Sequence, residues 1–257
     1  MNMSETAVRY EVLNRIARIV LDRPPVNALS LDMVRAVAAA LRQAAADDGA
    51  RAVVLTSTVA RRFCAGLDLA MLLDKSAEQV REFLHQLYVE LHESQYNLGK
   101  PSIAAVGGAA RGGGMTLAIS CDVIIAGRSA TFGYPEINIG VMPAIHFAHL
   151  PRIVGRHRAF ELLFTGRTFD AQEAFELGLV SKIVPDAELD AAAMAVAASF
   201  AAKSPTAMRL ARAAFMRQND YRRNIADAVE DFCNVVTTGA AQEGIRAFLE
   251  KRAPNWY

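Results

Sequence analysis

Residues 102–122 form a glycine-rich segment that constrains the fold of this chain more than any other feature. The apolar residues 102–106 predict a short buried strand, and seven of the next eight residues are glycine or alanine. Gly112, Gly113 and Gly114 then lead into an apolar segment that is typical of a helix start. Glycine lets a ligand approach the backbone closely, and a helix N-terminus presents unpaired N–H groups. The segment therefore predicts a site for an anion, or for negative charge that develops during a reaction.

Two common nucleotide-binding motifs do not fit this segment. A phosphate-binding loop needs Lys followed by Ser or Thr after its second spaced glycine, but Gly113 is followed by Gly114 and Met115. A dinucleotide-binding motif would need a glycine where Ala109 stands. Two interpretations stay open from these residues alone. One is an oxyanion hole for a carbonyl group, and the other is a close-packed joint between a strand and a helix.

Composition narrows the class of protein. The chain has 257 residues, of which 53% are hydrophobic and 21% are charged, which predicts an ordered globular protein with a sizeable core. The net charge is +1, so the chain lacks the excess of positive charge that is typical of nucleic-acid-binding domains. The three cysteines lie far apart with no paired spacing, so we expect a reducing compartment and no metal site.

The expected location follows from what the sequence lacks. Residues 1–12 show no basic region followed by an apolar core, so no secretory signal is predicted. No apolar run approaches the roughly 20 residues that a membrane span needs. We therefore expect a cytoplasmic protein that does not enter a membrane.

The order of predicted elements indicates an α/β fold. Strands are predicted at residues 8–13, 16–21, 52–56, 123–126 and 180–184, and Ser30 is a good N-cap for a helix to about residue 47. Residues 78–98 read as one long helix. Helices are also predicted at residues 156–165, 171–177, 187–202, 206–217, 221–236 and 240–251. Strands that alternate with helices, followed by a helical tail, favour this class.

Four polar side chains outside the glycine-rich segment are candidates for a capping, metal-binding or catalytic role. Asp68 could cap the short segment that follows it. His85 and His92 are seven residues apart, and we interpret them as solvated or capping side chains because no metal-ligand spacing accompanies them. Glu136 lies among apolar residues, which would raise its pKa and suit proton transfer near neutral pH. The alternative for Glu136 is a surface position at a strand edge.

In their order and spacing, several segments resemble the crotonase, or enoyl-CoA hydratase/isomerase, superfamily. The match covers nearly the whole chain, and with it the oxyanion interpretation outweighs the packing joint. The segments are residues 22–29 (DRPPVNAL), 63–68 (FCAGLD), 100–122, 132–136 (FGYPE), 163–166 (LFTG), 174–180 and 243–252. The resemblance implies a spiral of ββα units over residues 1–200 and a C-terminal helical trimerisation region over residues 201–257. It also implies a homotrimer or a dimer of trimers.

The resemblance further implies how an acyl-CoA thioester would be bound. The backbone N–H groups of Leu67 and Gly113 would polarise the thioester carbonyl and stabilise an enolate. Coenzyme A is part of the substrate, so no separate cofactor is expected. The residues expected to contact coenzyme A are Asn27, Ala28, Leu29, Ala65, Phe248 and Lys251. Phe248 and Lys251 would come from a neighbouring subunit.

Departures from the family pattern bear on the reaction. Typical hydratases use two glutamates, and only the second has a counterpart here, Glu136. Thr116 stands at the position of the first, and a threonine hydroxyl is no general base near pH 7 without a partner. A single carboxylate suffices to move a proton from C2 to C4 of an enoyl-CoA. The leading hypothesis is therefore an enoyl-CoA isomerase of fatty acid metabolism with Glu136 as its one acid/base.

The alternatives to an isomerase depend on His146, which lies ten residues after Glu136. The family has a glycine-rich segment at this place, and its sequence is changed here. As a second acid/base it could restore hydration, or support thioester hydrolysis or decarboxylation. A non-catalytic CoA-binding scaffold is less favoured because Glu136 and the glycine loop are retained. RNA binding, known in some relatives, is not expected because Arg81 is the only Lys or Arg within residues 78–98.

Overall fold

A computed structural model describes residues 7–220 and 222–256 of the chain. Residues 1–6, which belong to the segment searched for a secretory signal, lie outside this description. Tyr221, the predicted first residue of a helix, also lies outside it. Strands and helices alternate through the first two thirds of the described part, and helices follow. The predicted α/β class is confirmed.

The strands of the described part form two sheets. They are β1 (Val8–Leu13), β2 (Ile16–Leu21), β3 (Ala52–Ser57), β4 (Arg62–Cys64), β5 (Ser102–Val106), β6 (Ala109–Arg111), β7 (Val123–Gly127), β8 (Thr131–Gly133), β9 (Thr168–Asp170) and β10 (Lys182–Val184). The larger sheet has the order β1-β2-β3-β5-β7-β10, and the smaller has the order β4-β6-β8-β9. Consecutive strands β3 to β8 therefore alternate between the two sheets, which produces the predicted spiral of ββα units.

The helices lie between these strand pairs and after them. They are α1 (Leu31–Ala46), α2 (Ala77–Leu84), α3 (Leu91–Tyr96), α4 (Gly113–Ser120), α5 (Ala144–Val154), α6 (Arg156–Thr165), α7 (Ala171–Glu176), α8 (Leu189–Ala201), α9 (Pro205–Gln218), α10 (Ile225–Val236) and α11 (Gly239–Leu249). A π-helical segment, His85–Glu90, joins α2 to α3, so the predicted long helix is continuous but locally wider. Short 3₁₀ turns occur at Leu69–Met71 and Pro135–Ile139.

Local sequence signals explain where several elements begin. The Ser30 side chain accepts the N–H of Met33 and caps α1, as predicted. Strand β5 is buried along its whole length because β3 and β7 flank it in a parallel arrangement. The predicted cap at Asp68 is wrong: its carboxylate makes no capping bond and instead accepts from Arg23 Nη2 at 3.1 Å. The nearby guanidinium competes successfully for this side chain.

The histidines of the long helix differ from one another. His85 is exposed, in agreement with the expectation of a solvated side chain, and lies 3.8 Å from Glu90. His92 is buried, with 6% of its surface exposed, so the prediction of a solvated or capping side chain is wrong for it. The face of α3 that carries His92 points into the protein, and burial lowers the pKa of this imidazole to about 4.

The C-terminal helices fold back onto the body of the same chain. Helix α10 packs against α2 and α5, and α11 packs against the 3₁₀ turn Pro135–Ile139. Gly244 of α11 makes this approach possible, because a Cβ there would collide with the backbone of Ile139. Helix α11 therefore brings its side chains to the turn that carries Glu136.

Candidate active site

One cavity lies between the glycine-rich segment, the loop after β4 and helix α11. Its volume is about 680 Å³. Apolar side chains such as Leu69, Leu72 and Phe232 form much of its wall, while Glu136 supplies a carboxyl group. A cleft of this size, mostly apolar with a few convergent polar groups, suits a small organic ligand.

Two backbone N–H groups are available at this cavity. Leu67 and Gly113 both line it. Within residues 7–220 and 222–256, neither N–H donates to a protein acceptor. Leu67 lies in a parallel bridge with Leu29, in which the Gly66 carbonyl accepts the N–H of Leu29 and the N–H of Asp68 donates to the Leu29 carbonyl. Gly113 is the first residue of α4. These are the two donors that the sequence predicts, and the fold brings them to one place.

Two glycines with positive φ hold these donors close together. Gly66 has φ +96° and Gly112 has φ +48°, a region that side chains other than glycine rarely adopt. A Cβ on Gly66 would lie 2.9 Å from the Arg111 carbonyl oxygen and 3.4 Å from Gly113 N. The loop after β4 therefore touches the start of α4 directly, and this contact places Leu67 beside Gly113.

Glu136 lies on the 3₁₀ turn Pro135–Ile139, next to Gly112. A Cβ on Gly112 would lie 2.6 Å from Glu136 Oε1, so the absence of a side chain there makes room for the carboxyl group. Glu136 Oε2 is buried and has no hydrogen-bond partner within the described residues. Burial raises the pKa of Glu136 to about 7, as the sequence predicts. A carboxyl group with this pKa can both take and return a proton near neutral pH.

The raised pKa of Glu136 predicts a pH-dependent cost to stability. Its pKa rises from 4.5 to about 7 on folding, so the folded protein binds the extra proton and loses stability as pH rises through about 7. Glu136→Gln removes this cost, which is at most about 3 kcal/mol. We expect this variant to be more stable than the wild type at pH 8 and nearly equal to it at pH 4.5, by urea denaturation at each pH.

A matched control lies on the surface. Arg167 holds the pKa of Glu161 below its usual value, so Glu161→Gln should lose stability at pH 8 rather than gain it. Equal stability of wild type and Glu136→Gln at pH 8 would contradict the raised pKa.

Thr116 occupies the α4 position at which the resemblance places the first hydratase glutamate. Its side chain is 0% exposed, and its Oγ1 has no hydrogen-bond partner within the described residues. The other carboxylate at the cavity, Asp68, is paired with Arg23. In the described part of the chain, Glu136 is therefore the one carboxyl group at the cavity that is not held by a cation.

The structure places His146 behind the glycine loop and outside the cavity lining. It is 1% exposed on α5, and its Nε2 lies 3.2 Å from the carbonyl oxygen of Gly112. Burial lowers the pKa of His146 to about 3, so the imidazole is neutral. The assignment of His146 as an acid/base in the site is therefore corrected, because its ring contacts the Gly112 carbonyl and lies outside the residues that line the cavity.

The residues predicted to contact coenzyme A divide into two groups. Ala28 and Ala65 line the cavity. Asn27 and Leu29 are 0% exposed, so their side chains have no surface left for a ligand and this assignment is corrected. The Asn27 side chain instead accepts the N–H of Arg23 and donates to Ser57 Oγ and the Phe63 carbonyl, which fixes the loop around the donors.

Phe248 and Lys251 are the two C-terminal residues that were predicted to contact coenzyme A. Phe248 lines the cavity of its own chain and is 59% exposed, because α11 folds back onto the turn with Glu136. Phe248 thus reaches the cavity of its own chain, and a contribution from a neighbouring subunit stays a prediction. Lys251 is exposed and follows α11, outside the residues that line the cavity.

Several cavity residues were not predicted as site residues from the sequence, among them two arginines and one phenylalanine. Arg62 and Arg111 bring positive charge to the cavity, and Phe232 brings an aromatic ring from α10. The pattern Arg61-Arg62 before the loop was a usable signal for Arg62. No sequence signal was available for Phe232, because its place depends on how α10 packs.

The described residues contain no group of three or more His, Cys, Asp or Glu side chains that could hold a metal ion. Their three cysteines are free and buried. None of their helices is long and apolar enough to cross a lipid bilayer. The polar groups that the described residues bring to the cavity include the Glu136 carboxyl group, the N–H groups of Leu67 and Gly113, and the side chains of Arg62 and Arg111.

Comparison with known proteins shows which family the chain is similar to. A family model described as enoyl-CoA hydratase/isomerase matches residues 11–257. The chain is 36% identical over 260 residues to crotonyl-CoA hydratase of Syntrophomonas wolfei, with 99% of each chain covered. It is similar to the crystal structures of enoyl-CoA hydratases from Bacillus anthracis (34% identity, TM-score 0.78, 97% and 98% covered) and Mycobacterium avium (32% identity, TM-score 0.87, 98% and 100% covered).

The fold, the cavity and these similarities define an acyl-CoA enzyme of the crotonase superfamily. The chain belongs to the enoyl-CoA hydratase/isomerase family.

Proposed function

We propose that this protein is an enoyl-CoA isomerase that converts a 3-enoyl-CoA into a 2-enoyl-CoA with Glu136 as its single acid/base. The observation that carries the proposal is the buried carboxyl of Glu136, which lies against the glycine loop with a pKa near 7. Within the described residues, no second unpaired carboxyl group or histidine lines the cavity. Isomerisation needs one such group, whereas the two-glutamate hydration mechanism needs two.

In the proposed mechanism, the thioester oxygen accepts the N–H groups of Leu67 and Gly113. Their hydrogen bonds stabilise negative charge on this oxygen, which makes the C2 protons more acidic. The Glu136 carboxylate removes a proton from C2, and the electron pair enters the dienolate. The protonated carboxyl then returns the proton at C4, and the double bond shifts into conjugation with the thioester.

Hydration is the second candidate function, and the names of the similar proteins favour it. Crotonyl-CoA hydratase of S. wolfei aligns over nearly its full length. A hydratase would need a group in place of the first glutamate, and Thr116 is buried while His146 lies outside the residues that line the cavity. Thioester hydrolysis or decarboxylation would need the same missing group, so these reactions rank third. The non-catalytic scaffold is least supported, because Leu67, Gly113 and Glu136 all line the cavity.

The experiment that tests the proposal follows the absorbance of the conjugated enoyl thioester. The purified protein is incubated with a 3-enoyl-CoA and, separately, with a 2-enoyl-CoA. We expect conjugation to form from the first substrate and to persist in the second. Loss of conjugation from the 2-enoyl-CoA would support hydration instead. Absence of change in both would contradict the proposal, and release of free CoA would then identify hydrolysis.

Arg62 is expected to bind a phosphate group of coenzyme A. It is exposed at the cavity, and no carboxylate within the described residues lies within 4 Å of its guanidinium. Loss of one charge-assisted hydrogen bond costs about 1.5–3 kcal/mol. Arg62→Gln should therefore raise KM for the acyl-CoA roughly tenfold or more, with kcat within about twofold of the wild type.

The adjacent Arg61 provides a matched control for this prediction. It is also exposed but does not line the cavity, so Arg61→Gln should leave KM nearly unchanged. The effect of Arg62→Gln should shrink at high salt, because screening weakens the ion pair. An equal rise in KM for both variants would contradict a specific contact.

The oligomeric state and the cellular location are also proposals. We propose a homotrimer or a dimer of trimers that acts in the cytoplasm in fatty acid metabolism. Large apolar side chains on the surface of the chain favour assembly, including Phe160, Phe164 and Phe215 at 57%, 47% and 65% exposure. The boundary between a core over residues 1–200 and an oligomerisation region over residues 201–257 stays a prediction.

A further inference from the structure

Two histidines of α5 lie in a buried row behind the glycine loop. His146 is 1% exposed and His149 is 4% exposed. His146 Nε2 lies 3.2 Å from the Gly112 carbonyl oxygen, and His146 Nδ1 lies 3.4 Å from His149 Nε2. The ring of Tyr134 packs against His146 with a centroid distance of 4.5 Å. The imidazole of His146 is thus held on several sides, and its Nε2 is directed at the loop.

The partner of Nε2 determines which nitrogen of His146 carries the proton. A carbonyl oxygen only accepts, so the contact with Gly112 is a hydrogen bond only if Nε2 is protonated. A neutral imidazole then has a lone pair on Nδ1, which faces His149 Nε2 at 3.4 Å. His149 Nδ1 lies 3.1 Å from the Ile145 carbonyl oxygen, one helical turn back. This contact is likewise a hydrogen bond only if His149 Nδ1 carries the proton, and the two rings then face each other with lone pairs across the 3.4 Å separation, the longest of the three contacts.

The carbonyl of Gly112 belongs to the same peptide group as the N–H of Gly113. It also accepts the N–H of Thr116 at 3.1 Å, the first hydrogen bond of α4. A donor at the oxygen of a peptide group draws electron density from its N–H and makes that N–H a stronger donor. A second donor at this oxygen also restrains the rotation of a peptide group that follows a glycine with φ +48°.

We propose that His146 is a positioning residue that donates Nε2–H to the Gly112 carbonyl and thereby orients and strengthens the Gly113 N–H toward the thioester oxygen. This inference rests on the proposed role of Gly113 in the oxyanion hole. It explains why a buried polar ring with no contact to the cavity stands behind this loop. It also gives the changed segment around His146 a role other than acid/base catalysis.

Two variants separate the donor from the volume of the side chain. His146→Gln keeps an N–H₂ donor at a reach similar to that of Nε2, and His146→Leu removes the donor while it fills the space. At metal sites, partners that orient a ligand from one step away contribute roughly 10- to 100-fold to affinity or activity, and we expect an effect of this order for a partner of the Gly113 peptide group. We expect His146→Leu to lower kcat within that range with little change in KM, and His146→Gln to recover most of the loss.

Infrared spectroscopy of a bound saturated acyl-CoA, butyryl-CoA labelled with ¹³C at the thioester carbonyl, measures the hydrogen bonds directly. We expect the carbonyl stretch to shift to lower frequency in the wild type, to shift less in His146→Leu and to recover in His146→Gln. A full shift in His146→Leu would overturn the role of His146. Absence of a shift in the wild type would instead overturn the oxyanion hole itself.

A further test uses only the wild-type protein, so its result does not depend on whether a variant folds. Nitrogen-15 NMR distinguishes imidazole protonated at Nε2 from imidazole protonated at Nδ1. We expect His146 to be neutral and protonated at Nε2. A proton on Nδ1 would overturn the proposal, because Nε2 would then present a lone pair to the Gly112 carbonyl.

Discussion

Glu136→Gln is expected to lower kcat for enoyl-CoA isomerisation by about 10²- to 10⁴-fold, the usual contribution of a general acid/base. Glutamine has the shape of glutamate but cannot remove a proton. The carboxyl lies against Gly112 at the loop that carries the Gly113 donor, so the substitution keeps the packing and removes only the chemistry. The measurement is the steady-state rate of conjugation with a 3-enoyl-CoA at saturating substrate.

Binding and folding serve as controls for the Glu136 prediction. The Kd for a saturated acyl-CoA should stay within a few fold, because the donors and the apolar wall are unchanged. The thermal midpoint at pH 8 should be equal to or above that of the wild type, because the variant no longer buries a carboxylate. Turnover within about threefold of the wild type would show that another group moves the proton.

Gly113→Pro is expected to lower kcat by about 10²- to 10³-fold, because proline has no N–H and removes one oxyanion donor. A side-chain change cannot normally delete a backbone donor, but Gly113 is the first residue of α4, where proline is well tolerated. The N–H of Gly113 makes no hydrogen bond within the described residues, so its loss leaves no carbonyl unpaired. The measurement is kcat with a 3-enoyl-CoA.

Gly113→Ala is the matched control, since it adds a Cβ and keeps the N–H. That Cβ would lie 2.9 Å from Leu29 Cδ1 and 3.3 Å from Leu67 Cδ2, so the ends of these two side chains must move by a few tenths of an ångström. We expect the alanine variant to retain most of the activity, and both variants to unfold at similar temperatures. An equal loss in both would mean that space at Gly113 matters rather than its N–H.

Much of the fold could be predicted from local sequence patterns. The bounds of β1, β2 and β5 match the apolar patterns, and Ser30 caps α1 as its residue type predicts. The position of Glu136 among apolar residues was sufficient to predict its raised pKa. These features depend on residues that are close in sequence, or on burial that a run of apolar neighbours indicates.

The features that could not be predicted depend on contacts between distant segments. Asn27 is enclosed because its loop folds over Ser57 and Phe63, about 30 residues further along the chain. His146 faces the Gly112 carbonyl because α5 packs against the glycine loop, and spacing along the chain does not reveal which side of a loop a ring occupies. Phe248 lines its own cavity because α11 returns to the turn Pro135–Ile139.

The central claim is that one carboxyl group carries the proton from C2 to C4. The most direct test uses a 3-enoyl-CoA with deuterium at C2 in ordinary water and measures the label at C4 of the 2-enoyl-CoA product by mass spectrometry and NMR. A buried Glu136 that accepts and returns the same proton predicts that a measurable share of the deuterium appears at C4. Complete loss of the C2 label to water, with none at C4 even at the earliest turnover, would contradict a single acid/base.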